Sequence, residues 1–125
     1  MTDYSQMSDF EINKRVFKAI TGEKPLGYPH NADGRSVGNV KDGEYLWYDY
    51  CNIVSDGWPI VIKNQIGLMK DKGDGNWDAF GEFKLFDGGW QFESDPVHHH
   101  SDRNPLRAAM VVFLKMKDAE NVDHF

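Results

Sequence analysis

The sequence predicts an α+β fold: an antiparallel β-sheet meander packed by N-terminal and C-terminal helices, with a short helix near 55–64. Three observations carry this reading. A helix with clear start and stop signals opens the chain. Apolar and polar residues alternate through much of 66–93. A long apolar helix, introduced by Asn104-Pro105, closes the chain.

The first helix is expected over 9–21. Ser8-Asp9-Phe10-Glu11 reads as a capping box, and Met7 and Ile12 are spaced for a hydrophobic staple. Ile12, Val16, Ala19 and Ile20 mark one face at helical spacing. Lys14, Arg15 and Lys18 lie on the wet side, toward the end where the dipole favours cations. Gly22 is a natural stop.

Residues 22–44 are rich in Gly, Pro, Asn and Asp and show no period, apart from a short strand near Ser36–Val40. Tyr45–Tyr50 reads as a strand or an extended approach to the next element. Over 55–64 the β-branched content suggests a strand, whereas Ser55 as an N-cap and an early proline suggest a short helix stopped by Asn64. The helix is taken here.

Ile66–Met69 is strand-like, and Asp71–Asn76 is a polar turn. Trp77–Gly81 returns, and Phe83 and Leu85 alternate with Glu82 and Lys84. Asp87-Gly88-Gly89 turns the chain again, and Trp90 and Phe92 alternate with Gln91 and Glu93, giving a three-strand meander. Asn104 then caps a helix with Pro105 in its first position. Leu106, Ala109, Met110, Phe113 and Leu114 form its apolar face. Val111 and Val112 widen that face, which implies burial on more than one side. Glu120–Phe125 is expected to fray.

The 125 residues are one domain's worth, and neither an internal repeat nor a composition shift marks a second. Seventeen aromatic residues (8 Phe, 5 Tyr, 4 Trp) argue for a packed core and against disorder. No apolar run has the length of a membrane span, which takes roughly 18 residues. The first residues lack the basic and apolar regions of a signal peptide. The single cysteine, Cys51, has no intramolecular partner, which fits a cytosolic protein. The net charge of −6 arises entirely within 47–102, where ten acids face four bases. No block offers the basic stripe that phosphate contact needs, so non-specific nucleic-acid binding is disfavoured.

The sequence contains no phosphate loop, nucleophile elbow, zinc-protease helix or dinucleotide fingerprint, so neither a cofactor nor a catalytic residue is assigned. His98-His99-His100 with Asp102 is conspicuous. Three adjacent imidazoles point in different directions, however, and read better as a solvated loop before the last helix than as a metal site. Asp74–Asp78 begins like a calcium loop but lacks its glycine and its final glutamate. Cys51 reads as a buried small hydrophobe. With a sheet held between the two end helices, no chemistry-ready cavity is expected.

Three stretches carry a resemblance. Asp9-Phe10-Glu11-Ile12-Asn13-Lys14-Arg15-Val16 opens the chain. Cys51-Asn52, Ser55-Asp56-Gly57-Trp58-Pro59-Ile60-Val61-Ile62 and Asn64-Gln65-Ile66 occupy its middle. Asn104-Pro105-Leu106-Arg107-Ala108-Ala109-Met110-Val111-Val112-Phe113-Leu114 closes it. In this order they resemble the NinX-like family of small lambdoid-phage and prophage proteins, over nearly the whole chain. The resemblance implies a phage α-β-α sandwich and makes residues 23–46 an expansion with no family role. It implies an accessory protein in the cytoplasm of a bacterial host, encoded among early genes of DNA metabolism and recombination. It carries over no activity and no catalytic residue.

The expectation is therefore a non-catalytic module that binds a host or phage protein during the phage early programme. Its binding residues are taken to be Tyr48, Tyr50, Asn52, Asp56 and Trp58, a polar-aromatic surface beside the middle helix, joined by Asn104 and Arg107. The motive is a dense set of Asn, Asp and rings whose polar members packing does not require. The alternatives are a small enzyme or cofactor of phage DNA or nucleotide metabolism, and a homodimer whose aromatics meet across a two-fold axis.

Overall fold

The computed structural model describes residues 2–29, 33–89 and 91–122. A 3-10 turn, Tyr4–Gln6, precedes α1 (Asp9–Thr21), β1 (Val37–Lys41), β2 (Glu44–Tyr48), α2 (Val54–Lys63), β3 (Gly67–Lys70), β4 (Trp77–Gly81), β5 (His98–Asp102) and α3 (Pro105–Val122). Strands β1 and β2 form a two-stranded antiparallel sheet, and β3, β4 and β5 form a three-stranded antiparallel sheet in that order.

Helix α1 starts and stops where its signals place it. The Ser8 hydroxyl accepts from the Glu11 N–H at 3.1 Å. The Glu11 carboxylate pairs with Lys14 at 3.2 Å, so the box closes on one side only. Gly22 takes φ 75° and donates its N–H to the Lys18 carbonyl. Ile12, Asn13, Val16 and Phe17 are buried, while Ala19 and Ile20, expected on the same face, are exposed.

Within the loop-like region, β1 and β2 make a tight hairpin with Lys41 opposite Glu44. Asp42 and Gly43 form its turn at φ 53° and 80°. Two positive φ values in a two-residue loop match the twist of the flanking strands.

Helix α2 begins at Val54, one turn-position before the expected Ser55 cap, and no side chain caps it. Pro59 lies inside the helix, on its exposed side. Asn64 ends the helix as expected: its N–H bonds the Ile60 carbonyl at 3.1 Å and its side-chain amide the same carbonyl at 2.8 Å.

The third strand of the meander differs from the expectation. It is His98–Asp102, paired with β4 from Gly81↔His98 to Trp77↔Asp102. The segment after the 87–89 turn makes a single bridge, Leu85↔Phe92, and Trp90 lies outside the described residues. The histidines are thus not a solvated loop. Residues 98, 100 and 102 are half-buried and alternate with exposed 99 and 101. The period of two was present, but polar residues carried it.

Helix α3 is the centre of the molecule. Leu106 and every residue from Ala108 to Leu114 are buried, so it is covered on all sides. It packs on β3, β4 and β5 and also on α1 and α2. The expected α+β fold with both end helices packed on antiparallel sheet is observed: α3 packs on the three-stranded sheet, and α1 packs on α3 and on β1 of the two-stranded sheet. Each large α3 side chain buried here contributes about 1.5–3 kcal/mol of transfer free energy. The expected fraying at 120–125 is not seen through Val122, and residues 123–125 lie outside the described residues.

Candidate functional site

Of the predicted binding residues, Tyr50, Asn52, Asp56, Asn104 and Arg107 meet at the junction of α1, the β2–α2 connection and the start of α3, with Tyr48 stacked on Tyr50, whereas Trp58 stands apart on α2. Asn13, fully buried on α1, donates from its amide nitrogen to Asp49 Oδ1 at 2.9 Å and to the Arg35 carbonyl at 3.0 Å. Its amide oxygen accepts from the Cys51 N–H at 3.1 Å. Asp49, also buried, accepts further from Asn52 Nδ2 and from Arg35 Nε at 3.1 Å. Its own N–H donates to Asp56 Oδ2 at 2.9 Å.

Asn104 ties the same junction to α3. Its amide nitrogen donates to the Cys51 carbonyl at 2.7 Å and to Asn52 Oδ1 at 3.0 Å. Its amide oxygen accepts from the Leu106 and Arg107 N–H groups, so one side chain caps the helix and fastens the connection. Asn52 reaches on to Asp9 at 2.9 Å. Arg107 bridges Asp102 through Nε at 3.0 Å and Asp9 through Nη1 at 2.6 Å, and its Nη2 holds the Tyr4 and Met7 carbonyls.

The expectation that packing requires no polar residue here is thereby corrected. Asn52, Asp56, Asn104 and Arg107 are committed to internal hydrogen bonds that join segments distant in sequence. Tyr50 is 3% exposed and stacks on Tyr48 with ring centroids 5.7 Å apart, so its ring is core rather than surface. Burial, with Tyr48 and Asp56 nearby, pushes its phenol pKa up. Tyr48 is half-buried against Phe17. Burial first, and then the Asp9 charge, raises the Cys51 thiol far above the range of a reactive thiolate.

Trp58 alone among the predicted rings is well exposed, and it has company that the sequence reading missed. Val54, Trp58 and Ile62 stand at i, i+4 and i+8 on the outer face of α2, at 64%, 46% and 60% exposure. Ile53 at the helix start is exposed beside them. The opposite face, Gly57, Ile60 and Val61, is buried. Spacing on the helix separates the two stripes and was available in the sequence.

A cleft of about 670 Å³ opens elsewhere, lined by Thr2–Ser5, Val97–His100, Lys115 and Asp118. The Tyr4 hydroxyl donates to Asp118, and burial together with that carboxylate pushes its pKa up to about 12. Lys115 Nζ donates to the His99 carbonyl at 2.8 Å. His98 Nε2 approaches Glu82 at 3.6 Å and His100 Nε2 approaches Asp102 at 3.9 Å, both beyond hydrogen-bond length. Among the described residues no three His, Cys, Asp or Glu side chains converge on a metal position.

Residues 3–117 match the family described as Bacteriophage P22, NinX. The chain belongs to the NinX family. No curated protein matches it. The match takes in α1, both sheets, α2 and most of α3, so the junction network, the α2 stripe and the cleft all lie within the NinX region. It also spans 23–46, the segment read as an expansion. No helix among the described residues is long and apolar enough to cross a membrane.

Proposed function

We propose that this NinX-family phage protein is a non-catalytic accessory protein that binds a host or phage protein in the bacterial cytoplasm. The contact is the outer face of α2. The observation that carries this reading is the exposed stripe of Val54, Trp58 and Ile62. Isolated exposed apolar residues are ordinary, whereas three in register on one helix face, with a tryptophan at the centre, have the form of interface anchors. Tyr48, Asn52 and Asp56 support that helix from beside and beneath, as do Asn104 and Arg107 through the junction network. The enzyme reading asks for a carboxylate and an imidazole in hydrogen-bond reach within a pocket. Among the described residues the carboxylate–imidazole approaches are 3.6 and 3.9 Å, beyond hydrogen-bond length.

The test is capture from phage-infected cells with the protein as bait, compared with Trp58→Ala and the double variant Trp58→Ala/Ile62→Ser. Both side chains are exposed, so the variants are expected to keep the parent's circular dichroism and melting temperature. Partners captured by the parent are expected to disappear from both. Partners that persist on the folded double variant would refute the α2 contact. A two-fold increase in mass by light scattering, abolished by the same variants, would replace the foreign partner with a second copy.

A further inference from the structure

We propose that the groove between α1 and α2, over Phe113 of α3, receives an apolar side chain flanked by a carboxylate, both from the partner protein that covers the α2 stripe; this rests on the α2 reading and names that partner's chemistry. Helices α1 and α2 each pack on α3. Between them lies a space of about 310 Å³. Buried Ile60 and Phe113 form its floor, and exposed Ile20 and Pro59 form its walls. Ligand sites span roughly 300–1,000 Å³, so a space at the lower end takes a side chain or two and not a folded element.

The groove's charge has one sign. Lys63 and Lys117 line it, and among the described residues no carboxylate does. Two other clefts mix signs: Asp3 and Asp118 accompany Lys115 in one, and Glu23 accompanies Lys41 in the other. Lys117 lies over the Phe113 ring at 5.6 Å and meets Glu120 at 3.4 Å, an i,i+3 surface pair of the kind that salt and solvent weaken. Lys63 makes neither an ion pair nor a hydrogen bond among the described residues. A lysine in the last turn of a helix can serve its terminal carbonyls. Those of α2 are already taken: Ile60 by the Asn64 N–H and side-chain amide, Val61 by the Ile66 N–H, and Ile62 by the Gln65 N–H. The end of α2 contributes about half a negative charge, which one ammonium exceeds. Helix α1 carries Lys18 in its own last turn. A net positive charge therefore remains beside an apolar hollow, in a chain whose net charge is −6.

The helix ends decide which anion fits. Phosphate is held where backbone N–H groups converge at the start of a helix. Here α1 and α2 present their last turns, through Ile20 and Lys63, so no backbone donors supplement the lysines. The singly charged carboxylate of an aspartate or glutamate suits an ammonium beside apolar surface. The groove also adjoins the stripe. Pro59 and Lys63 follow Trp58 and Ile62 by one residue each, so the two rows run side by side along α2. A partner anchored on Trp58 and Ile62 borders the groove along the second half of the helix.

The probe is a set of capped tripeptides that pair Leu, Phe or Trp with one Asp or Glu, each matched by its Asn or Gln counterpart. They are offered at millimolar concentration to the isotope-labelled full chain and read by NMR shift changes. The acidic members are expected to shift the Ile20, Lys63 and Phe113 signals and to bind about threefold or more tightly than their amide counterparts. Lys63→Met, at an exposed position, is expected to keep the fold and bring the two sets level, while Trp58→Ala leaves tripeptide binding unchanged. Equal binding of the two sets by the parent, shifts confined to other parts of the chain, or a preference that survives in Lys63→Met would each overturn the groove, as would phenyl phosphate binding more tightly than every acidic tripeptide. In capture from infected cells, Lys63→Glu is expected to lose the partners that Trp58→Ala loses. Partners kept by Lys63→Glu but lost by Trp58→Ala would overturn the groove and leave the α2 contact standing. Partners kept by Trp58→Ala would remove the α2 contact, and with it the shared partner, whatever the tripeptides do.

Discussion

Arg107 concentrates more structural responsibility than any other side chain at the junction. Its side chain is 12% exposed, and its planar fork meets Asp102, Asp9 and two carbonyls of the N-terminal segment at once. A guanidinium suits this task because its donors leave in fixed, divergent directions, whereas an ammonium offers one point of charge. Removing it leaves two partly buried carboxylates and two carbonyls without their donor. Loss of one partner from such an arrangement costs about 3–5 kcal/mol, chiefly through the groups left behind. Arg107→Met is therefore expected to lower the urea midpoint by a corresponding amount, with Arg107→Lys recovering only a minor part. A midpoint within error of the parent for Arg107→Met would show that solvent serves these carboxylates as well as the guanidinium does. The pattern also explains why Asn, Asp and Arg at this junction look functional in the sequence. Buried polar groups and interface groups draw on the same residue types, and only the hydrogen-bond partners distinguish them.

At the level of elements, helix α2 is positioned by its closest approach to the β2–α2 connection and α3. A Cβ on Gly57 would lie 2.4 Å from the Tyr50 carbonyl oxygen and 3.2 Å from Leu106 Cδ2. In an exposed helix, Gly→Ala stabilises by about 1 kcal/mol. Here the added methyl meets backbone, so Gly57→Ala is expected to destabilise by about 1–3 kcal/mol, the usual cost of overpacking. Thermal melts of Gly57→Ala decide between the two signs, and a rise in melting temperature would mean that α2 shifts outward freely. The same elements show what was legible. Helices α1 and α3 announce themselves because caps and a period of 3.6 act locally. The β1–β2 hairpin carries the Asp42-Gly43 turn signal, and the strands expected near Ser36–Val40 and at Tyr45–Tyr50 lie within two residues of Val37–Lys41 and Glu44–Tyr48. Strand β5 was hidden because His98, His100 and Asp102 face α3, Lys115 and Arg107 rather than an apolar layer. Side-chain polarity therefore gave no hint of burial. In the α2 stripe only Trp58 was expected at the surface, and Val54 and Ile62, four residues to either side of it, share its exposed face.

In the molecule as a whole, α3 touches every helix and the whole three-stranded sheet, so no part of the core can open without it. Unfolding is accordingly expected to be a single cooperative transition, and its pH dependence reports on the seam between α3 and β5. His100 lies in that seam, with Asp102 on its own strand, Lys115 and Arg107 facing it from α3, and His99 adjacent. Burial, then the Lys115 charge, holds its imidazole below the ordinary value of 6.5, and the opposing pull of Asp102 does not compensate. The unfolded chain therefore binds the proton more readily than the folded one. The stability associated with neutral His100 is complete above pH 6.5 and drains away as the pH falls from there through the lower folded value. His100→Gln keeps a polar side chain in the seam and removes the titration. The parent's urea midpoint is expected to fall between pH 7 and pH 5 more steeply than that of His100→Gln, with the two curves converging in slope above pH 7. Parallel curves across that whole interval would place the acid sensitivity elsewhere in the chain and leave the α3–β5 seam indifferent to protons.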